Sequence, residues 1–407
     1  MKYANIRHSG RTMNTLGDQM QIIAVDYLYE TIGVNRDEIV YIEKDSLGEY
    51  SGEKVVLPVA FPLFDYYEGG LRNMFSKGIK PVFLGHTIFK SYLLPDEVAF
   101  YKTHEPIGCR DERALNTFRS YGIEAYLMGC MTACLPKRKA SNAANKVFIV
   151  DVSPTALKHI PIELRERAEI LSHFTDATKG IKEIAERRYE WYKNEGELVI
   201  TSLLHCSVPC IAAGIPTIIM KDLFSYRFAW LEKICKVHLK DEYSMVDWQA
   251  KTIEYENHKS LLIDIARDRI LGKEPTEQML RVHDFYMSRE KQEYVVDALV
   301  SIEEHIKRCW TDKKYPYEYS LWGMTQIAEE ANNYIQRLYP NAILKNVYDK
   351  YRDTSFCGLA TKRPEEISNN PNETVIVTAQ AAKQEALELF SSIKKNEEMY
   401  VFAEVQK

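Results

Sequence analysis

Short apolar runs alternate with amphipathic stretches along most of the chain, and this alternation predicts the fold. Runs at 3–8, 39–42, 54–59, 80–85, 107–109 and 124–128 read as strands, apolar enough on both faces for a parallel sheet. Between them, 19–31, 71–75, 96–102 and 112–121 read as helices. A basic, small-residue stretch at 137–146 reads as a linker, after which the alternation restarts. It gives a strand at 146–152, helices at 162–171 and 178–193, and strands at 198–200 and 217–220. Long charged helices at 256–271 and 274–308 follow, and a second break falls at 311–319. Beyond it come strands at 319–323, 342–348, 374–378 and 399–402, with helices at 325–338 and 379–393. The pattern predicts an α/β protein with doubly wound parallel sheets in three parts, 1–138, 139–312 and 318–407.

One unit, residues 197–220, combines these signals most tightly. Leu198-Val199-Ile200 is strand-like, and Thr201-Ser202 ends the strand and can cap the helix of small residues that follows. Gly214 suits the position just past that helix, and Pro216 opens the next strand. A strand-loop-helix unit puts its loop at the carboxyl edge of the sheet, where ligands bind, so Thr201, Ser202 and His205 are candidate site residues. The Asn14-Thr15-Leu16-Gly17-Asp18 turn opens another helix; its amides suit an anion or sugar hydroxyls, or Asp18 serves only as a cap. Arg110-Asp111 is either an ion pair beginning a helix or a ligand-binding pair.

The totals narrow the classes. The 407 residues are 45% hydrophobic and 27% charged, ordinary for a globular protein of two or three domains. A net charge of −5 argues against bulk nucleic-acid binding. No apolar run approaches the ~20 residues of a membrane helix, and the N-terminus lacks a signal-peptide core, so the expected location is cytoplasmic. Eight cysteines lie scattered; Cys130/Cys134 and Cys206/Cys210 read either as buried reduced thiols or as a zinc set. His8, His86, His104 and His173 read as surface or structural, and Tyr315, Tyr317 and Tyr319 as linker packing or a sugar platform.

Five motifs in order resemble the polysaccharide pyruvyl transferase family over residues ~1–305. They are the Asn14–Asp18 turn, Cys109-Arg110-Asp111, Gly129-Cys130-Met131-Thr132, Thr201-Ser202-Leu203-Leu204-His205 through Gly214-Ile215-Pro216, and Arg227-Phe228 with Val246-Asp247-Trp248. The resemblance implies two Rossmann-like domains in a GT-B-like arrangement, with the site in the cleft between them. It implies transfer of a pyruvyl group from phosphoenolpyruvate to two hydroxyls of a sugar, oligosaccharide or lipid-linked acceptor, with no added cofactor. His205 is the implied acid/base, and Arg110 and Arg227 the implied anion contacts. Asn14, Asp18, Asp111, Thr132, Thr201 and Ser202 match substrate-binding positions. Leu203 departs from the pattern, since the family places an arginine two residues before the histidine. That departure keeps two alternatives open: a GT-B glycosyltransferase with a nucleotide-sugar donor, and a non-catalytic scaffold in glycan assembly. Oligomeric state and peripheral membrane association stay open as well.

Residues 320–407 resemble the small Rossmann-like domain that accompanies sugar-modifying enzymes. Gly323, Asp349, Gly358, Pro364-Glu365 and the strand at 375–378 fit, while Thr325 and Ala328 replace two glycines of its phosphate loop. The reading is a structural or docking domain, against a nucleotide binder.

Overall fold

A computed structural model describes residues 2–7, 15–61, 75–88, 93–139, 144–177, 179–222, 225–288, 297–312, 314–351, 353–370, 372–379 and 382–403. Asn14, His8 and most of the predicted helix at 71–75 lie outside the described residues. The described residues up to 288 form one compact unit and those from 297 a second.

In the first unit, β1 (Lys2–Arg7) leads into α1 (Leu16–Thr31). With β2 (Ile39–Glu43), β3 (Val55–Val59) and β4 (Ile79–Phe83) it makes a parallel sheet in the order β2-β1-β3-β4. After α2 (Pro95–Lys102), α3 (Glu112–Ser120) connects the parallel pair β5 (Ile107–Cys109) and β6 (Ala125–Leu127). A bridge between His86 and Cys109 joins that pair to the run after β4.

The second half of this unit runs through β7 (Lys146–Val150), α4 (Pro154–His159), α5 (Ile162–Glu166), β8 (Ala168–Leu171), α6 (Ile181–Glu195) and β9 (Gly196–Thr201). It continues with α7 (Leu204–Ala212), β10 (Thr217–Lys221), β11 (Val237–Leu239), α8 (Glu256–Ile270) and α9 (Thr276–Met287). Its parallel sheet has the order β11-β10-β9-β7-β8, so the strand order reverses between β7 and β9. Such a switch point opens a crevice at the carboxyl ends of the two strands. β9 is central and almost wholly buried, in keeping with its apolar sequence. α1 packs against α6 and α7 and so ties the two halves together.

One expectation changes here, and one strand was not foreseen. Residues 162–171 are not one helix: α5 stops at Glu166, and 168–171 become the edge strand β8. Parallel pairing with β7, aided by the Lys146–Glu169 ion pair (3.1 Å), outweighs local helix preference. The three-residue strand β11 is too short to show in the periodicity.

The second unit comprises α10 (Asp297–Cys309), β12 (Glu318–Trp322), α11 (Gln326–Leu338), β13 (Ile343–Tyr348), β14 (Ser355–Phe356), β15 (Leu359–Lys362), β16 (Thr374–Val377), α12 (Lys383–Ser392) and β17 (Tyr400–Phe402). The order β14-β15-β13-β12-β16-β17 is Rossmann-like, parallel throughout except for β14 against β15. Residues 297–309, grouped by their charge pattern with the helix before them, pack here: Leu299, Ile302 and Ile306 share a core with Tyr319, Leu321, Ile335 and Val401. The tyrosine run is also packing, since Tyr317 stacks on Trp310 at 4.7 Å and Tyr319 is fully buried. At the loop where Thr325 and Ala328 replace the later glycines, Gly323 has φ +103°, and a Cβ there would lie 2.6 Å from that of Ala379. The loop is therefore closed against 379, with Asp349 accepting from the Met324 amide (3.2 Å).

Candidate functional site

The 197–220 unit folds as its sequence dictates, with one exception. Gly214 adopts φ +74°, and the amides of Gly214 and Ile215 bond back to Ile211 and Cys210, a Schellman ending. The exception is the cap. Leu203, not Thr201 or Ser202, holds the N-cap position of α7 and offers no side-chain bond. Thr201 Oγ1 instead accepts from the Leu203 amide (3.1 Å), and the Ser202 hydroxyl donates to the Asp151 carbonyl across the switch point. α7 also carries Pro209 in its interior, and His205, four residues earlier, is the one residue with non-helical dihedrals (φ −86°, ψ 16°). A proline ring collides with the carbonyl four residues before it and donates no amide hydrogen to it. The His-x-x-x-Pro spacing thus turns the His205 backbone out of the helix.

This turn puts His205 in the wall of a cavity of about 310 Å³, built from the carboxyl ends of strands in both halves. The first half contributes Thr15, Gly17 and Asp18 at the start of α1, and Arg110 after β5. The second contributes His173 after β8, Ser202 to His205, Lys221 at the end of β10, and Ser225, Arg227 and Phe228. His205 Nε2 lies 3.7 Å from Cys130 Sγ, which accepts a hydrogen bond from Thr132 Oγ1 (3.1 Å). Its ring also lies against the Gly17 backbone, and a Cβ on residue 17 would come within 3.2 Å of the His205 Cβ, so glycine eases the close approach.

The charge pattern is lopsided. Arg110 is fully buried, and none of its three guanidinium nitrogens has a hydrogen-bond partner. Its contact with Asp111 is a loose 3.7 Å, because that carboxylate already accepts from Thr87 Oγ1 (2.5 Å) and caps α3 through the Ala114 amide (3.1 Å). Arg227 Nε is likewise buried without a partner. Lys221 lies over the Phe228 ring and donates to the Ser202 carbonyl (3.4 Å). Buried polar groups in native proteins are almost always satisfied, and those left unsatisfied call for an account. Guanidinium nitrogens without partners at a cavity wall suit an anion with several acceptor oxygens.

Of the sequence candidates, Asp18, Arg110, Ser202, His205 and Arg227 line the cavity. Asp111, Thr132 and Thr201 stand behind it, as helix cap, partner of Cys130 and anchor of the turn. Leu203 lines the same cavity, so where the family places its arginine this chain presents an apolar wall near Arg227. Sequence reasoning missed Lys221 and Asp151 and gave His173 only a surface or structural role. His173 Nε2 meets the Tyr192 hydroxyl (3.1 Å), and its amide donates to Asp151 Oδ2 (2.7 Å). Cys130, Cys134, Cys206 and Cys210 are free and buried, and no group of three or more metal-capable side chains forms among the described residues. No described helix is long and apolar enough to cross a membrane.

Burial, then the charges of Arg110, Arg227 and His173, holds the His205 imidazole well below the usual histidine range, against the opposing Gly17 bond. Burial also pushes His86 down to about 3, although the Phe61 carbonyl opposes it. In the unfolded chain both titrate near the ordinary value of about 6.5. Below that pH the unfolded state binds more protons, so stability is full above it and falls as pH falls. The expected loss is about 1.4 kcal/mol per pH unit for each histidine. Urea denaturation at about pH 7.5 and about pH 5.5 reads this directly, and equal stabilities at the two would contradict the buried, neutral assignment.

No protein-family model matches the chain, and no curated protein does. Among solved structures, a Listeria monocytogenes protein named as a UDP-N-acetylglucosamine 2-epimerase aligns at TM-score 0.36 and 10% identity, over 73% of this chain and 100% of its own. Staphylococcus aureus MnaA, solved with UDP, aligns at 0.32 and 10%, over 77% and 98%. An uncharacterised Klebsiella pneumoniae protein aligns at 0.30 and 14%, over 54% and 83%. Likenesses this loose carry no argument about activity.

Proposed function

We propose that the chain is a glycan-modifying transferase of the pyruvyl transferase type, whose cleft takes the donor phosphoenolpyruvate. The observation that carries this reading is the buried Arg110 guanidinium without a hydrogen-bond partner, with the buried, unpaired Nε of Arg227, facing a histidine in one cavity. Phosphoenolpyruvate offers a carboxylate and a phosphate on a three-carbon frame, two anionic groups for two cations. In the reaction, His205 as imidazolium gives its proton to the methylene carbon, leaving an oxocarbenium-like centre at the next carbon. One sugar hydroxyl attacks that centre and returns a proton to His205. A second hydroxyl then attacks the same carbon as its bond to the phosphate oxygen breaks, and that hydroxyl's proton leaves with the inorganic phosphate as the ketal closes. Arg227 stands in for the cation that Leu203 does not supply.

The second reading, a nucleotide-sugar glycosyltransferase, draws on the same cavity, since a diphosphate also suits two guanidiniums. A thermal-shift comparison separates the two. Phosphoenolpyruvate at a hundred times its Kd adds about 2.7 kcal/mol of stability, whereas a nucleotide sugar adds none. Stabilisation by the nucleotide sugar alone would replace the first reading with the second, and no response to either favours the scaffold reading. With the acceptor identified, a His205→Gln variant that kept full turnover would remove His205 from the chemistry.

A further inference from the structure

We propose that the anion entering this cavity also arms its histidine: occupation of the Arg110–Arg227 subsite draws a proton from solvent onto His205, so the acid exists only while the donor is bound. The inference rests on reading the cavity as a donor-anion site, and it goes beyond that reading by making binding and protonation one linked event.

The argument is geometric. His205 shares one cavity with Arg110 and Arg227; no guanidinium nitrogen of Arg110 and not the Nε of Arg227 has a hydrogen-bond partner, and the carboxylates near them, Asp111 and Asp18, are engaged elsewhere. The nearest carboxylate, Asp111, is held 3.7 Å from Arg110 by its bonds to Thr87 and the Ala114 amide, so it cannot close on the guanidinium. The other charged or titratable groups facing the imidazole are Asp18 on α1, Lys221 at the end of β10, His173 after β8 and Cys130 after β6. Of these only Asp18 is an anion, and its Oδ2 already accepts from Thr15 Oγ1 at 3.3 Å. The empty cavity therefore carries excess positive charge in a buried setting, where like charges oppose one another strongly. His205 stays neutral there. A bound dianion cancels the two arginine fields and brings negative charge beside the ring, which reverses the balance and favours the imidazolium. The consequence is chemical as well as electrostatic. Without donor the site holds no acidic proton for other enol ethers or water, and with donor the proton sits beside the carbon that receives it.

Linkage makes this measurable without turnover. Sulfate is the probe, because it is a dianion that does not itself titrate near neutral pH. In calorimetry at about pH 7, the apparent binding enthalpy of sulfate should vary with the ionisation enthalpy of the buffer, giving an uptake approaching one proton per site. Sulfate affinity should tighten by up to about tenfold for each unit fall in pH, and both effects should vanish in His205→Gln. Should that variant fold poorly, the His205 ring resonance of the parent, followed by NMR during sulfate titration, should move from its neutral to its protonated position. Buffer-independent enthalpies in the parent, uptake unchanged in His205→Gln, or no sulfate binding at all would each overturn the proposal. Phosphoenolpyruvate run in parallel separates the two readings: sulfate uptake through His205 without phosphoenolpyruvate binding would keep this inference and end the pyruvyl-donor one.

Discussion

Replacing Arg110 by methionine is expected to weaken donor-anion binding at least about thirtyfold, at some cost to the stability of the ligand-free protein. The Arg110 guanidinium is fully buried and makes no hydrogen bond, so its desolvation is offset only by a loose 3.7 Å contact with Asp111. A methionine of similar length removes that desolvation penalty but leaves the buried Asp111 carboxylate without its cation, and removing one partner of a buried pair is destabilising. The bonds from Thr87 and the Ala114 amide to Asp111 limit that cost. With an anion present the guanidinium also gains charge-assisted bonds that methionine cannot make, worth about 2–5 kcal/mol in a buried pair. Calorimetry gives the affinity and urea denaturation the stability. A variant that loses several kcal/mol when empty but binds anion as well as the parent would show that Arg110 is structural.

Glu373→Ala is expected to destabilise the second unit by about 3–5 kcal/mol and to leave anion binding in the first unit unchanged. Glu373 is 4% exposed and sits just before β16. Its Oε2 accepts from Ser320 Oγ (2.7 Å) and Asn346 Nδ2 (2.8 Å), and its Oε1 from the Tyr348 hydroxyl (2.6 Å). Asn346 in turn accepts from Lys362 Nζ (2.7 Å). One carboxylate thus satisfies side chains on two neighbouring strands, β12 and β13, and its removal strands three buried donors at once. Hydrogen exchange resolved along the chain should show protection lost across 318–403 and kept before 288. A loss below about 1 kcal/mol would mean that water replaces the carboxylate freely.

The sequence carried the alternation of strands and helices because parallel strands buried on both faces leave unbroken apolar runs, as in β7, β9 and β16. It carried Gly214 for an equally local reason, since a Schellman ending requires positive φ. It did not carry β8, because a four-residue edge strand draws its stability from β7 rather than from its own residues. The site divides along the same line. His205, Ser202 and Asp18 were legible from motif and loop position. His173 reads as surface or structural, and it is indeed buried against Tyr192, but with strand β8 misread its place in the cavity wall was not legible. Arg110 was named, but the property on which the proposal rests, a buried guanidinium without a hydrogen-bond partner, arises only when Thr87 claims its neighbour Asp111. The His205–Pro209 spacing was there to be read, and its effect on the backbone follows from proline chemistry alone.

The central claim is that the cavity bounded by Arg110, Arg227 and His205 receives the anionic groups of a donor. The structure of the chain with phosphoenolpyruvate bound tests it most directly. The account predicts carboxylate or phosphate oxygens at about 2.7–3.2 Å from nitrogens of both guanidiniums, with the methylene carbon facing the His205 ring. Phosphoenolpyruvate bound elsewhere, or an empty cavity at saturating ligand, would contradict it.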